Sequence, residues 1–148
     1  MALLSHGKIK FVVEEFVWHI RVYYEDTDTG GVVYHANYLK FFERARTEML
    51  RTAGFEQHEL IENENIVFAV RSVNIDFHKP ANFNDLLRLK STIRYLGHAS
   101  LTFDQRIERE SDDTLLSKAE VRVACLHADT LLPCPIPDNI RREFTDAN

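Results

Sequence analysis

The residues with the most chemical promise stand together in one short segment, YYEDTDTGGVVYHAN, running from Tyr23 to Asn37. It holds three carboxylates, two adjacent glycines and a histidine, and three chemistries compete for it. In the first, Asp26-Thr27-Asp28-Thr29 imitates the DxDxT signature of aspartate-dependent phosphatases, but the fifth position is Gly30. Calcium binding is the second; oxygen ligands at the first and third loop positions are followed by Gly30 at the fifth and Asn37, not Glu, at the twelfth. The third is acyl transfer from a thioester. A carbonyl under attack develops negative charge on oxygen, and each donor aimed at it supplies about 2.7–4 kcal/mol. Free N–H groups in the first turn of a helix are such donors, aided by the helix dipole. Gly30 and Gly31 let the backbone approach the acyl group, and a carboxylate a few residues earlier attacks the carbonyl or activates water. Thiolate leaves readily, so this chemistry needs neither metal nor cofactor.

The elements around the segment suit the third chemistry. Phe16, Trp18, Ile20, Val22 and Tyr24 alternate with His19, Arg21 and Tyr23, the period of a strand. From Asn37 to Ala53 the chain is free of Gly and Pro. Tyr38, Phe41, Phe42, Ala45, Met49 and Leu50 then form one helical face, with Asn37 as N-cap and Gly54 as the stop. Glu43, Arg44, Arg46 and Glu48 read as its solvated or interfacial face. Four further strands are expected in a meander. The first carries Val67, Ala69, Val73, Ile75 and Phe77 on one face, the second Leu87, Leu89, Ile93 and Tyr95. The third is Leu101 to Ile107 and the fourth Ala119 to Cys125. Pro133, Pro135 and Pro137 lead into a short amphipathic tail around Ile140 and Phe144.

A helix segregated from a run of strands indicates an α+β domain with a mainly antiparallel sheet. That lacks the alternating βα units of the phosphatase fold. One helix cannot cover both sheet faces, so a second copy is expected against the open one and the protein is expected to be a homo-oligomer. The 148 residues suit one domain, 16–148, preceded by an N-terminal extension over 1–15. A net charge of -5 gives no overall field favouring nucleic acid or anionic membrane. No stretch is apolar enough for a membrane span, and the two cysteines show no metal or redox spacing. A cytoplasmic setting is expected.

The run VYYEDTDTGGVVYHANYLKFFERARTEMLR resembles the signature of the hotdog superfamily, in its 4-hydroxybenzoyl-CoA thioesterase branch. It is most similar there to the Tol–Pal-associated acyl-CoA thioesterases of the YbgC type. Weaker similarity continues through AVRSVNIDFHKPA, GHASLTFDQRI and KAEVRVACL. The resemblance implies a five-stranded antiparallel sheet wrapped around one long helix, paired into dimers and commonly a dimer of dimers, a homotetramer. It places the catalytic carboxylate at Asp28 and the carbonyl-polarising backbone N–H at His35. The His35 imidazole is a candidate second catalytic group. Gly31 and Tyr38 would line the substrate site, and Ser100 falls where relatives contact CoA. Gly97 stands where some relatives carry a basic residue, so that part of the CoA grip differs.

Arg88, Lys90 and Arg94 either grip CoA phosphates or form an ordinary polar strand face. The substrate implied is an acyl-CoA, with acyl carrier protein as a further candidate partner. Two rivals remain open at this point. One is hydration or dehydration of a hydroxyacyl thioester, which pairs a His with a carboxylate. The other is an acyl-carrier or Tol–Pal envelope-complex binding module.

Overall fold

A computed structural model describes residues 15–145; apart from Glu15, the expected N-terminal extension lies outside the described residues. The elements follow as β1 (Phe16–Arg21), a 3-10 turn (Tyr24–Asp26), α1 (His35–Thr52), α2 (Gln57–Glu64), β2 (Ile66–Phe77), β3 (Leu86–Leu96), β4 (Ser100–Arg109), β5 (Leu115–His127) and α3 (Asp138–Phe144). All five strands join one antiparallel sheet in the order β1-β3-β4-β5-β2. The meander is therefore only β3-β4-β5. Strand β2 crosses to the far edge, beyond the reach of local pattern.

Helix α1 is the core of the domain. All six residues of its expected apolar face are buried, with Phe41 and Phe42 each 1% exposed. Burial of each such aromatic contributes about 1.5–3 kcal/mol. They meet Leu87, Leu89 and Ile93 of β3, Phe103 and Ile107 of β4, and Val121 and Val123 of β5 in one continuous cluster. The helix stops as expected: Gly54 sits at φ +100, and the N–H of Phe55 reaches back to the carbonyl of Leu50. Its start differs. α1 begins at His35 after Tyr34, so Asn37 lies inside the first turn and is not the N-cap.

Three local patterns are broken by geometry. The β1 alternation ends at Arg21, because the Asp26 carboxylate accepts the N–H of Tyr23 (2.8 Å) and curls the chain into the 3-10 turn. Tyr24 is thereby exposed, not inward-facing. A bulge between Val70 and Ser72 puts Phe68, Val70, Val73, Ile75 and Phe77 on the helix side and turns Val67 and Ala69 outward. A second bulge between Ile93 and Tyr95 turns Tyr95 away from the face of Leu87 and Leu89. The helix α2 was not legible as a periodic pattern, since only Leu60 of its eight residues is buried.

The open face of the sheet is charged. Arg88 pairs with Glu108 (3.1 Å), Glu110 (3.6 Å) and Asp113, Lys90 with Glu108 (3.0 Å), and Arg94 with Asp104 (3.5 Å) and Glu120. These cations are held by neighbouring strands, the ordinary reading of a polar strand face. Such a face is solvated without help, so it does not by itself require a second copy. A row of uncovered apolar residues lies instead along β2, where Val70, Val73 and Phe77 are 38–50% exposed.

Candidate active site

The DTDTGG segment folds into a tight hairpin. Thr27 and Val33 bridge across it, the Asp28 N–H donates to the Val32 carbonyl (2.9 Å), and the Gly31 N–H donates to the Asp28 carbonyl (3.0 Å). Gly31 adopts φ +79, the left-handed conformation that favours glycine. The Asp28 side chain is oriented by its own turn: Oδ1 accepts the Gly30 N–H at 2.8 Å. A Cβ at Gly30 would lie 3.3 Å from that oxygen, so a larger residue would crowd the carboxylate. The other oxygen, Oδ2, has no hydrogen-bond partner among the described residues, and Asp28 is exposed.

This hairpin is locked to the start of α1. The Asp26 carbonyl accepts the Tyr34 N–H (3.1 Å) and the Asn37 Nδ2 (2.9 Å), so Asn37 ties the loop to the helix. Asp26 thus braces the loop with both carbonyl and carboxylate, while Asp28 points a free oxygen outward. In the first turn, the backbone N–H groups of His35 and Ala36 meet no acceptor among the described residues. A carboxylate oxygen and unspent helical N–H donors are therefore held on one hydrogen-bonded unit.

The His35 side chain behaves differently from its N–H. The imidazole packs against Tyr34 (centroids 4.5 Å apart) and meets Phe77 edge-on (6.4 Å), and among the described residues no carboxylate lies within 4.0 Å of it. At His35, among the described residues, the imidazole therefore forms no His–carboxylate pair of the kind hydration chemistry uses. Tyr38 is buried at 3% exposure, with its ring against Phe77 (5.3 Å) and its hydroxyl accepting the Ala81 N–H (3.0 Å). Burial raises its phenol above the ordinary value of 10.0. It serves as floor and brace beneath the helix start.

Ser100 is not brought to this site. It begins β4 beside the 97–99 turn, whereas the hairpin adjoins the other end of the sheet, where Val22 and Asp85 are bonded. The eleven residues from Leu86 to Leu96 put roughly 30 Å between those ends. At the Ser100 end the Tyr95 ring lies over Gly97, 2.7 Å from where a Cβ would stand. Arg141 of α3 donates to the Gly97 carbonyl (2.7 Å), bringing a cation to that turn from elsewhere in the chain.

Two positioning residues escaped the sequence reading. Arg109 pairs with Asp85 (2.9 Å) and donates to the Pro80 carbonyl (2.9 Å), clamping the 80–85 loop. That loop in turn holds the site: the Val33 N–H donates to Ala81, the Phe83 N–H to Gly31 and the Val22 N–H to Asp85. The bond to Asp85 raises the Arg109 guanidinium further above its ordinary value. No local spacing joins residues 24 positions apart across a sheet.

The family profile of the Thioesterase superfamily matches residues 30–116, more than half of the chain, including Gly31 and the whole of α1. The chain belongs to the Thioesterase superfamily. It is 46% identical over 129 residues to the acyl-CoA thioester hydrolase YbgC of Escherichia coli, covering 87% of this chain and 95% of that protein. To the acyl-CoA thioesterase YbgC of Haemophilus influenzae it is 44% identical, covering 87% and 93%. The crystal structure of a probable thioesterase from Bartonella henselae superposes with a TM-score of 0.78 at 38% identity, covering 84% of this chain and all of that one. With these likenesses the five-stranded sheet and its central helix are the hotdog architecture, and the α+β expectation holds. This superfamily member is a thioesterase.

Proposed function

We propose that the protein hydrolyses acyl-CoA thioesters to free acid and CoA, with Asp28 as the catalytic carboxylate and the His35 N–H as oxyanion donor. The observation that carries this reading is the hairpin unit that holds a free Asp28 oxygen together with the unaccepted N–H groups of the first turn of α1. The acyl-CoA activity borne by the names of its YbgC relatives supports the substrate class. Asp28 either attacks the carbonyl, forming an acyl anhydride as CoA thiolate leaves, or takes a proton from the attacking water. Negative charge gathers on the carbonyl oxygen, where the His35 N–H and the helix dipole stabilise it.

The reading extends to assembly. The exposed β2 edge is proposed to pair with a second copy, and a dimer of dimers follows the family pattern. The partner's Ser100 turn would then contact the CoA that one chain's own Ser100, roughly 30 Å away, does not reach. Acyl carrier protein remains a proposed alternative acyl donor, and the cytoplasm the proposed compartment. Among the described residues, no helix is long and apolar enough to cross a membrane.

Thiol release from an acyl-CoA series tests the chemistry. Asp28→Asn keeps an oxygen for the Gly30 N–H, so it is expected to fold normally and lose nearly all turnover. A folded Asp28→Asn protein with near-native rates would falsify the assignment. Single-turnover hydrolysis in labelled-oxygen water separates the two routes, because the nucleophilic one first places an enzyme oxygen in the product acid.

A further inference from the structure

Arg46 stands out from the other charged residues of α1. It lies four residues after Phe42 and four before Leu50, both buried, so its side chain enters the helix–sheet interface. There its Nη1 donates to Gln105 Oε1 (3.0 Å), and its guanidinium carbon sits 6.0 Å from the centre of the Phe103 ring. Gln105 is fully engaged, with Nε2 donating to the Phe42 carbonyl and to Ser91 Oγ, both at 3.0 Å. A guanidinium carries five N–H donors, and the remaining four of Arg46 meet no acceptor among the described residues. No carboxylate lies within 4.0 Å of it there; Glu43, one turn earlier, accepts instead from Thr47 Oγ1 (2.6 Å). Burial lowers the guanidinium below its ordinary range, with Glu43 acting in the opposite sense. It remains a cation at neutral pH.

This cation borders a cavity of about 120 Å³ walled by Leu50, Phe68, Val70, Phe103 and Phe144. A void of that size takes the end of a chain, given that an engineered cavity of about 150 Å³ holds benzene. A row of apolar side chains leads towards it from the catalytic hairpin. Phe77 touches His35, and the exposed helix-side residues Phe77, Val73 and Val70 of β2 run from there to the cavity wall. Along α1, the eleven steps from His35 to Arg46 rise about 16 Å at 1.5 Å each. An extended alkyl chain advances about 1.3 Å per bond, and helical side chains lean back towards the N-terminus by about one residue, so roughly twelve to thirteen carbons cover the gap.

We propose that Arg46 is a specificity-determining residue that reads the far end of the acyl group, favouring chains of about twelve carbons with an oxygen acceptor at the ω end. This rests on the thioesterase reading, which fixes the carbonyl at His35. The shared chemistry is an acceptor oxygen, supplied by an ω-carboxylate or an ω-hydroxyl. The open donors of a half-buried cation beside a mainly apolar cavity gain from such an oxygen, which a terminal methyl group cannot supply.

The test compares kcat/KM for dodecanoyl-CoA with its ω-carboxy and ω-hydroxy counterparts, and for the same three forms of hexanoyl-CoA. The full-length protein is expected to favour at least one ω-oxygenated twelve-carbon substrate by about ten-fold or more. The six-carbon forms, too short to reach, should show a ratio near one. In Arg46→Met, which keeps a long apolar side chain, the twelve-carbon preference should fall to about one. Preference for the carboxylate assigns recognition to charge, and Arg46→Lys should then retain part of it. Preference for the hydroxyl assigns recognition to hydrogen bonding shared with Glu43.

A twelve-carbon ratio near one in the native protein overturns the proposal, whether or not Arg46→Met folds. So does a preference that Arg46→Met leaves unchanged, or a variant whose oligomeric state shifts while its selectivity does not. Failure to hydrolyse any acyl-CoA would instead count against the proposed function. Asp28-dependent hydrolysis without ω-selectivity would count against Arg46 alone.

Discussion

Replacing His35 with proline isolates the oxyanion donor from everything else His35 does. His35 is the first helical residue of α1, the position where proline is best tolerated, because its ring pre-sets the helical φ. Tyr34 before it, at φ -62 and ψ 133, already holds the extended conformation that a following proline demands. The lost N–H has no acceptor among the described residues, so the substitution removes no bond from the fold. Stability should therefore change by no more than about 0.5 kcal/mol. Catalysis should not be spared: removal of one oxyanion donor is worth about 2.7–4 kcal/mol, or roughly 10²–10³ in kcat.

The control is His35→Ala, which removes the imidazole and keeps the N–H. Because the ring contacts the Tyr34 and Phe77 rings and pairs with no carboxylate among the described residues, the alanine variant should lose far less activity than the proline variant. Urea denaturation monitors the fold while thiol release from acyl-CoA gives kcat. Equal activities for the proline and alanine variants, both folded, would refute the role of the N–H.

Further outcomes follow from the same geometry. Gly31→Ala forces a Cβ into φ +79, where nothing crowds it, so the loss should be the backbone strain alone, about 1–2 kcal/mol in denaturant titration. Tyr38→Phe leaves the Ala81 N–H without its acceptor and should destabilise by about 1–3 kcal/mol, measured the same way. The buried Cys125 thiol, 3.6 Å from Cys134 Sγ, is pushed up from 9.0 to about 12 by burial and that neighbour. A raised folded-state pKa contributes stability that is present below pH 9 and lost as pH climbs towards 12. The stability gap between the native protein and Cys125→Ala should accordingly narrow across that window; a gap constant with pH would contradict it.

Much of the domain was written in local sequence. The face from Tyr38 to Leu50, the stop at Gly54 and the inward rows of β4 and β5 obey periods that survive folding, because burial acts on each residue alike. The inward turn of Arg46 follows from its spacing to Phe42 and Leu50, whereas its charge placed it on the solvated or interfacial face of the helix. The Asp28-Thr29-Gly30-Gly31 segment before a helix start was likewise readable, since an Asx turn and a left-handed glycine depend on neighbours two or three residues away.

The tertiary structure decided what depends on distant partners. Bulges at Arg71 and Arg94 reversed which residues face the helix, since a one-residue slip flips every later side chain. Strand β2 paired with β5 instead of β3, leaving an apolar edge whose exposure no local pattern encodes. The Arg109–Asp85 clamp and the separation of Ser100 from Asp28 belong to the same class. Residue types and short spacings assign the chemistry of the hairpin. Its support, and the distance from it to Arg46, come from contacts between segments that the chain brings together only on folding.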